Sequence, residues 1–126
     1  METQIIICDT NILIEHFKGS EIISNQLKKI GIDSIAISTI TTSELYFGAL
    51  NKKELTQIKT SLSSLTQLPI NISISEIFLN LMEKYCLSHK LTIPDAIIAA
   101  TAIYYDTPLF TLNTKDFRFI PKLKLF

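Results

Sequence analysis

Asp9, Glu44, Asp95 and Asp116 are the residues of this chain whose setting suggests chemistry. Each stands at or just beyond the boundary of an expected element, beside Ser, Thr or Asn, and against a strongly apolar segment. A carboxylate in such a place is costly to desolvate unless something offsets its charge. Other catalytic sets are missing. His16 and His89 have no ligand spacing around them, no Ser/His/Asp or Cys/His order suggests itself, and three glycines make no phosphate-binding loop. Cys8 and Cys86 are too few and too far apart for a zinc motif. Acid-only chemistry remains. Each acid also has a structural reading: Asp9 as a helix cap, Thr41-x-x-Glu44 and Thr92-x-x-Asp95 as capping boxes, Asp116 as a turn residue.

The elements that must position these acids follow from the apolar pattern. Ile5-Ile6-Ile7-Cys8 is a short unbroken apolar run, the signature of a strand covered on both faces, and it ends abruptly at Asp9. Thr10 and Asn11 are good caps for a helix continuing to Phe17. Ser20 caps a second helix to about Ile30, stopped by Gly31. Ile35-Ala36-Ile37 is a second strand, and Thr41-Thr42-Ser43-Glu44 opens a third helix through Phe47. Leu55, Ile58, Leu62 and Leu65 stripe a fourth helix. Leu68, Ile70 and Ile72 alternate as an edge strand around Pro69, and Ser73-Ile74-Ser75-Glu76 caps a fifth helix. A sixth, apolar on nearly every side, runs from Ala96 to Tyr105; Leu109-Phe110-Thr111 and Leu123–Leu125 are further strands. Strands alternating with helices predict a parallel doubly wound α/β sheet, whose ligands bind at the carboxyl edge. Asp9, Glu44 and Asp116 reach that edge directly. Asp95 reaches it only if the fifth and sixth helices form a hairpin.

Composition bounds the rest. The 126 residues form one domain, 1–126, with 12 basic and 12 acidic side chains. A pI of about 6.7 excludes a protein that coats nucleic acid, whose footprint is a pI above ~9. The apolar content of 47% and mean hydropathy of +0.30 are high for the size, yet no run approaches the ~20 residues of a membrane span. No secretory leader is expected at the N-terminus, and free thiols suit a reducing cytoplasm. The excess hydrophobicity points to self-association or a protein partner.

Four stretches together resemble one family. Asp9-Thr10-Asn11-Ile12-Leu13-Ile14 is similar to the opening motif of PIN-domain ribonucleases. Thr39-x-x-Thr42-Ser43-Glu44-Leu45 resembles their second motif, and Ile93-Pro94-Asp95-Ala96-Ile97-Ile98-Ala99-Ala100-Thr101-Ala102 the third, the most specific of the set. Thr111-Leu112-Asn113-Thr114-Lys115-Asp116-Phe117 resembles the fourth. The closest branch is the small VapC-type toxins of bacterial toxin–antitoxin pairs. The resemblance implies a three-layer PIN-like fold with strand order 3-2-1-4-5. It implies Asp9, Asp95 and Asp116 as ligands of Mg²⁺ or Mn²⁺, Glu44 as a fourth through water, and Thr10, Thr111 and Asn113 as supporting polar contacts.

The chemistry so implied is cleavage of RNA phosphodiester bonds by metal-activated water, with charge on the phosphate neutralised by the ion. Hard oxygen ligands suit these ions. Without metal, two carboxylates ~5 Å apart repel by about 3 kcal/mol at an effective dielectric near 20. The alternative is a non-catalytic PIN-like module that binds RNA or protein. Intact acids at all four motifs argue against it. A receiver domain is excluded because its third strand should end in a phosphoacceptor aspartate, where this chain has Ser73. A nuclease of structured DNA would need gripping modules for which the chain has no room. Lys115 and Arg118, with Lys122 and Lys124, are candidates to line the RNA path, against a simple solvated charge run. Tyr46, Phe47 and Leu62 are candidates for a groove shared with a homodimer partner and a cognate antitoxin.

Overall fold

A computed structural model describes residues 4–126. β1 (Ile6–Cys8) leads into α1 (Thr10–Phe17) and α2 (Glu21–Ile30). β2 (Ile35–Ser38), α3 (Thr39–Phe47), α4 (Lys52–Leu62) and β3 (Thr66–Leu68) follow, then α5 (Ile72–Tyr85), α6 (Ile93–Tyr105) and β4 (Leu109–Phe110). The sheet order is β3-β2-β1-β4, and every pairing is parallel.

Strand alternation divides the interior in two. Ile7, Ala36 and Leu109 face α5, α6, Phe117 and Ile120. Ile6, Cys8, Ile35, Ile37 and Phe110 face Ile12 and Leu13 of α1, Ile23 and Leu27 of α2, Leu45 and Leu62. Both faces of β1 are therefore covered, as its unbroken apolar run requires. Cys8 is fully buried there, where burial first and the Asp9 charge second push its thiol up to about 12, so it stays a neutral packing group.

Several expectations are corrected. The fifth strand shrinks to a single parallel bridge, Leu109 to Leu125, flanked by hydrogen bonds from the Leu109 N–H to the Lys124 carbonyl and from the Phe126 N–H to the Leu109 carbonyl. It still lies on the outer edge of β4. The third strand ends at Leu68, because Asn71 caps α5 by accepting from the Ile74 N–H at 2.8 Å and turns Ile72 into that helix's first residue. Asn71, not Ser73, is the cap. α3 likewise starts earlier than Thr41, capped by Ser38. α1 is capped by Asp9 rather than by Thr10 or Asn11.

The hairpin that Asp95 needs is present. α5 and α6 pack against one another, and the Tyr105 hydroxyl at the end of α6 donates to the Pro69 carbonyl just before α5 begins. The first turn of α6 is thereby left at the carboxyl edge of the sheet.

Candidate active site

Asp9 is buried at the end of β1, its backbone N–H still bonded to the Phe110 carbonyl of β4. One carboxylate oxygen accepts from the Thr10 N–H at 2.7 Å. The other accepts from the Thr111 hydroxyl at 2.7 Å, across 102 residues of sequence. Burial pushes the Asp9 carboxyl above its ordinary range; the two hydrogen bonds pull it back, and the charges of Glu44 and Asp116 push it up again. The capping reading is thus true of one oxygen only.

Glu44 lies half-buried in the second turn of α3, too far in to cap that helix. The Thr10 hydroxyl donates to its Oε1 at 2.8 Å. Since a hydroxyl carries one proton, its 3.1 Å contact with Thr41 Oγ1 has Thr41 as donor. Thr41 in turn stands 3.4 Å from the Ser38 hydroxyl, which donates to it. Ser38 and Thr41 are wholly buried, so a relay of three hydroxyls ends on the carboxylate.

Asp95 is half-buried in the first turn of α6, whose cap Thr92 accepts from the Asp95 N–H. Its carboxyl is pushed up to about 6, by burial first, then by the charges of Asp9 and Asp116. Asp116 is exposed at the end of a 3-10 turn over Thr114–Asp116. Asp9 thus feels the charges of Glu44 and Asp116, and Asp95 those of Asp9, Asp116 and Glu44, which gathers the four acids at the carboxyl edge.

A sequence profile of the PIN domain matches residues 6–123. The chain belongs to the PIN-domain family. Ribonuclease VapC of Rickettsia bellii is 34% identical over 95% of this chain and 93% of its own length. Ribonuclease VapC10 of Mycobacterium tuberculosis is 31% identical over 94% and 90%. Among solved structures, a toxin–antitoxin complex from Klebsiella pneumoniae superposes with a TM-score of 0.79 at 36% identity, covering 94% of each chain. VapBC2 from Rickettsia felis, bound to a DNA fragment from its promoter, superposes with a TM-score of 0.80 at 28% identity, covering 98% of each.

The donor set of this PIN domain fits the divalent cation its family implies. Among the described residues the ion pairs are Lys18–Glu15 and Lys124–Asp106, so no basic side chain neutralises the four acids. Among the described residues no three acidic, His or Cys side chains close into a ready-made cage either. Spaced hard oxygen donors of this kind suit Mg²⁺, which keeps several waters and takes only one or two carboxylates directly.

The remaining expected residues divide. The Thr10 and Thr111 hydroxyls donate to Glu44 and Asp9, whereas Asn113 contributes its backbone N–H, which donates to Thr111 Oγ1 at 3.0 Å. Lys115 and Arg118 are exposed beside Asp116. Lys124 is committed elsewhere, 2.9 Å from Asp106 near the start of β4. Phe47 is 93% exposed and Tyr46 is 37% exposed, but Leu62 is 2% exposed. Leu62 belongs to the same core cluster as Leu13 and Leu27, so it is not an accessible groove residue. Sequence reasoning missed Ser38 and Thr41 as site residues because it read Thr41 as a cap; a threonine one turn before Glu44, on the same helix face, was the available signal. It also missed Asn11, whose Oδ1 accepts from the Leu112 N–H at 3.4 Å and ties the first and fourth motifs together.

Proposed function

We propose that this protein is a divalent-metal-dependent endoribonuclease and the toxin of a type II toxin–antitoxin pair. The observation that carries the reading is a buried Asp9 whose two oxygens are oriented by Thr10 and Thr111 while three more acids face it with no counter-cation among the described residues. A fold with only stability to serve would pair or remove such charges.

Asp9, Asp95 and Asp116 would hold Mg²⁺ or Mn²⁺, with Glu44 acting through water. The bound ion supplies an activated water and neutralises charge on the scissile phosphate. The chain's own residues prepare for this. The Thr10 N–H and the Thr111 hydroxyl fix the plane of the Asp9 carboxylate before any ion arrives. The hydroxyl relay through Thr41 and Thr10 points a donor at Glu44 Oε1 and fixes where that carboxylate sits. Asp95 would hold the cation in its ionised form, so affinity would fall as the pH drops below about 6. Lys115 and Arg118 are exposed for contact with the RNA backbone.

The antitoxin partner and a homodimer belong to the same reading. Exposed Tyr46 and Phe47 adjoin a groove of about 600 Å³ lined by Ile14, Phe17, Leu45, Ile58 and Glu44, which suits the apolar face of an antitoxin helix.

The test is incubation of the purified protein with total RNA, with Mg²⁺ or Mn²⁺ and with EDTA, followed by mapping of product ends. Discrete cleavage that EDTA abolishes and either ion restores is expected. Cleavage that persists in EDTA, or none with either ion, would remove the metal-dependent reading.

A further inference from the structure

The carboxylate edge has an aromatic rim that the chemistry above does not use. His89, in the loop between α5 and α6, stacks on Phe119 with ring centroids 4.1 Å apart and planes 15° from parallel. Tyr85 braces both rings edge-on, at 5.6 Å from His89 and 5.1 Å from Phe119. His89 is exposed while Phe119 is half-buried, so the imidazole is the solvent-facing member of the stack. A 2.8 Å hydrogen bond between Nδ1 and the Ser88 hydroxyl fixes the ring's orientation and leaves Nε2 unbonded.

Position gives this stack its meaning. His89 precedes the α6 cap Thr92 by three residues, and Phe119 follows Asp116 by three. Three residues span at most about 10 Å, so the stack clasps together the two segments that carry Asp95 and Asp116. Lys90 and Arg118, next in sequence to His89 and Phe119, are exposed, as is Lys115, and none is ion-paired among the described residues. Exposed rings with flanking free cations are what single-stranded RNA recognises: the bases stack while the cations take the phosphates.

We infer that the His89–Phe119 stack is a base-binding subsite, holding one unpaired RNA base beside the carboxylate edge. This rests on the ribonuclease reading, but its test reads binding rather than cleavage. The probe is a single-stranded oligoribonucleotide carrying 2-aminopurine, titrated into the Asp9→Asn protein so that it stays intact. Quenching of the 2-aminopurine is expected, because a stacked base loses fluorescence. Adding His89→Ala should abolish the quench and weaken affinity about tenfold, while His89→Tyr, which keeps a ring, should restore both. Phe119→Leu should weaken them less. Thermal melts confirm that the variants fold. An unchanged quench in His89→Ala overturns the subsite, as does a loss that His89→Tyr fails to restore. If His89→Ala impaired only capture of the cognate antitoxin, the stack would be a protein contact and the proposal would fall. Failure of the parent protein to cleave RNA would instead strike the ribonuclease reading, with the quench still deciding the stack.

Discussion

Two aspartates at element boundaries, Asp9 and Asp106, meet opposite fates. Asp106 ends α6 in the left-handed conformation, and its carboxylate is largely exposed and 2.9 Å from Lys124. Asp9 ends β1 with hydrogen-bond donors but no cation among the described residues, and burial first, then the charges of Glu44 and Asp116, raise its pKa. The fold could pair an acid with a base where charge served only stability. At the carboxyl edge it orients the acid and, among the described residues, supplies no base. That uncompensated charge is what supports the proposed cation site.

The largest expected effect lies at Asp9. Asp9→Asn removes a charge at nearly constant volume and should lower RNA cleavage at least ~100-fold, while the metal-free melting temperature holds or rises because repulsion is relieved. End-point cleavage and thermal melts check both halves. Unfolding with undiminished activity per folded molecule would make Asp9 a cap like any other.

Next comes the support of that carboxylate. Thr111→Val deletes the 2.7 Å hydrogen bond to Asp9 and should weaken Mn²⁺ binding, read by calorimetry, about tenfold. Thr111→Ser should recover most of it. Equal affinity in the two variants would reduce Thr111 to packing.

Acid pH should then separate the two ends of the sheet. Asp95 titrates at about 6 in the folded protein against an ordinary 3.8, so between those values the folded state holds the proton that the unfolded chain has lost. Metal-free stability must therefore fall as pH rises from about 4 to about 6, by roughly 1 kcal/mol after allowance for solvent screening. Mg²⁺ should cancel the fall above that window, since it binds the ionised form. Melts in EDTA that rise with pH across the window would contradict the crowding of acids at this edge.

The smallest effect belongs to the opposite edge. Lys124→Ala breaks an exposed ion pair and should cost under about 1 kcal/mol with cleavage unchanged. A marked loss of cleavage would return Lys124 to the RNA path from which its pairing removes it.

Much of the fold and the site is legible in the residues alone. The apolar run before Asp9, the cap Thr92 before Asp95 and the stripe through α4 are local signals, because backbone hydrogen bonding and side-chain period act over a few residues. They locate all four acids and both faces of the sheet. The caps at Asn71 and Ser38, which local pattern misplaces, show the limit of such signals. Neighbouring Asn, Ser and Thr residues compete for one boundary, and only packing chooses among them.

The sequence by itself determined the acids, the alternation of strands with helices, and the covered first strand that binds them into one sheet. Tertiary structure alone decided what each acid touches. Thr111 reaches Asp9 across 102 residues and Thr10 reaches Glu44 across 34, contacts that no local period encodes. The same holds for the return of Asp95 to the carboxyl edge by the α5–α6 hairpin, the capture of Lys124 by Asp106, and the burial of Leu62. Hydrogen-bond and Coulomb energies depend on distance in space, and chain order constrains that distance only until the sheet closes.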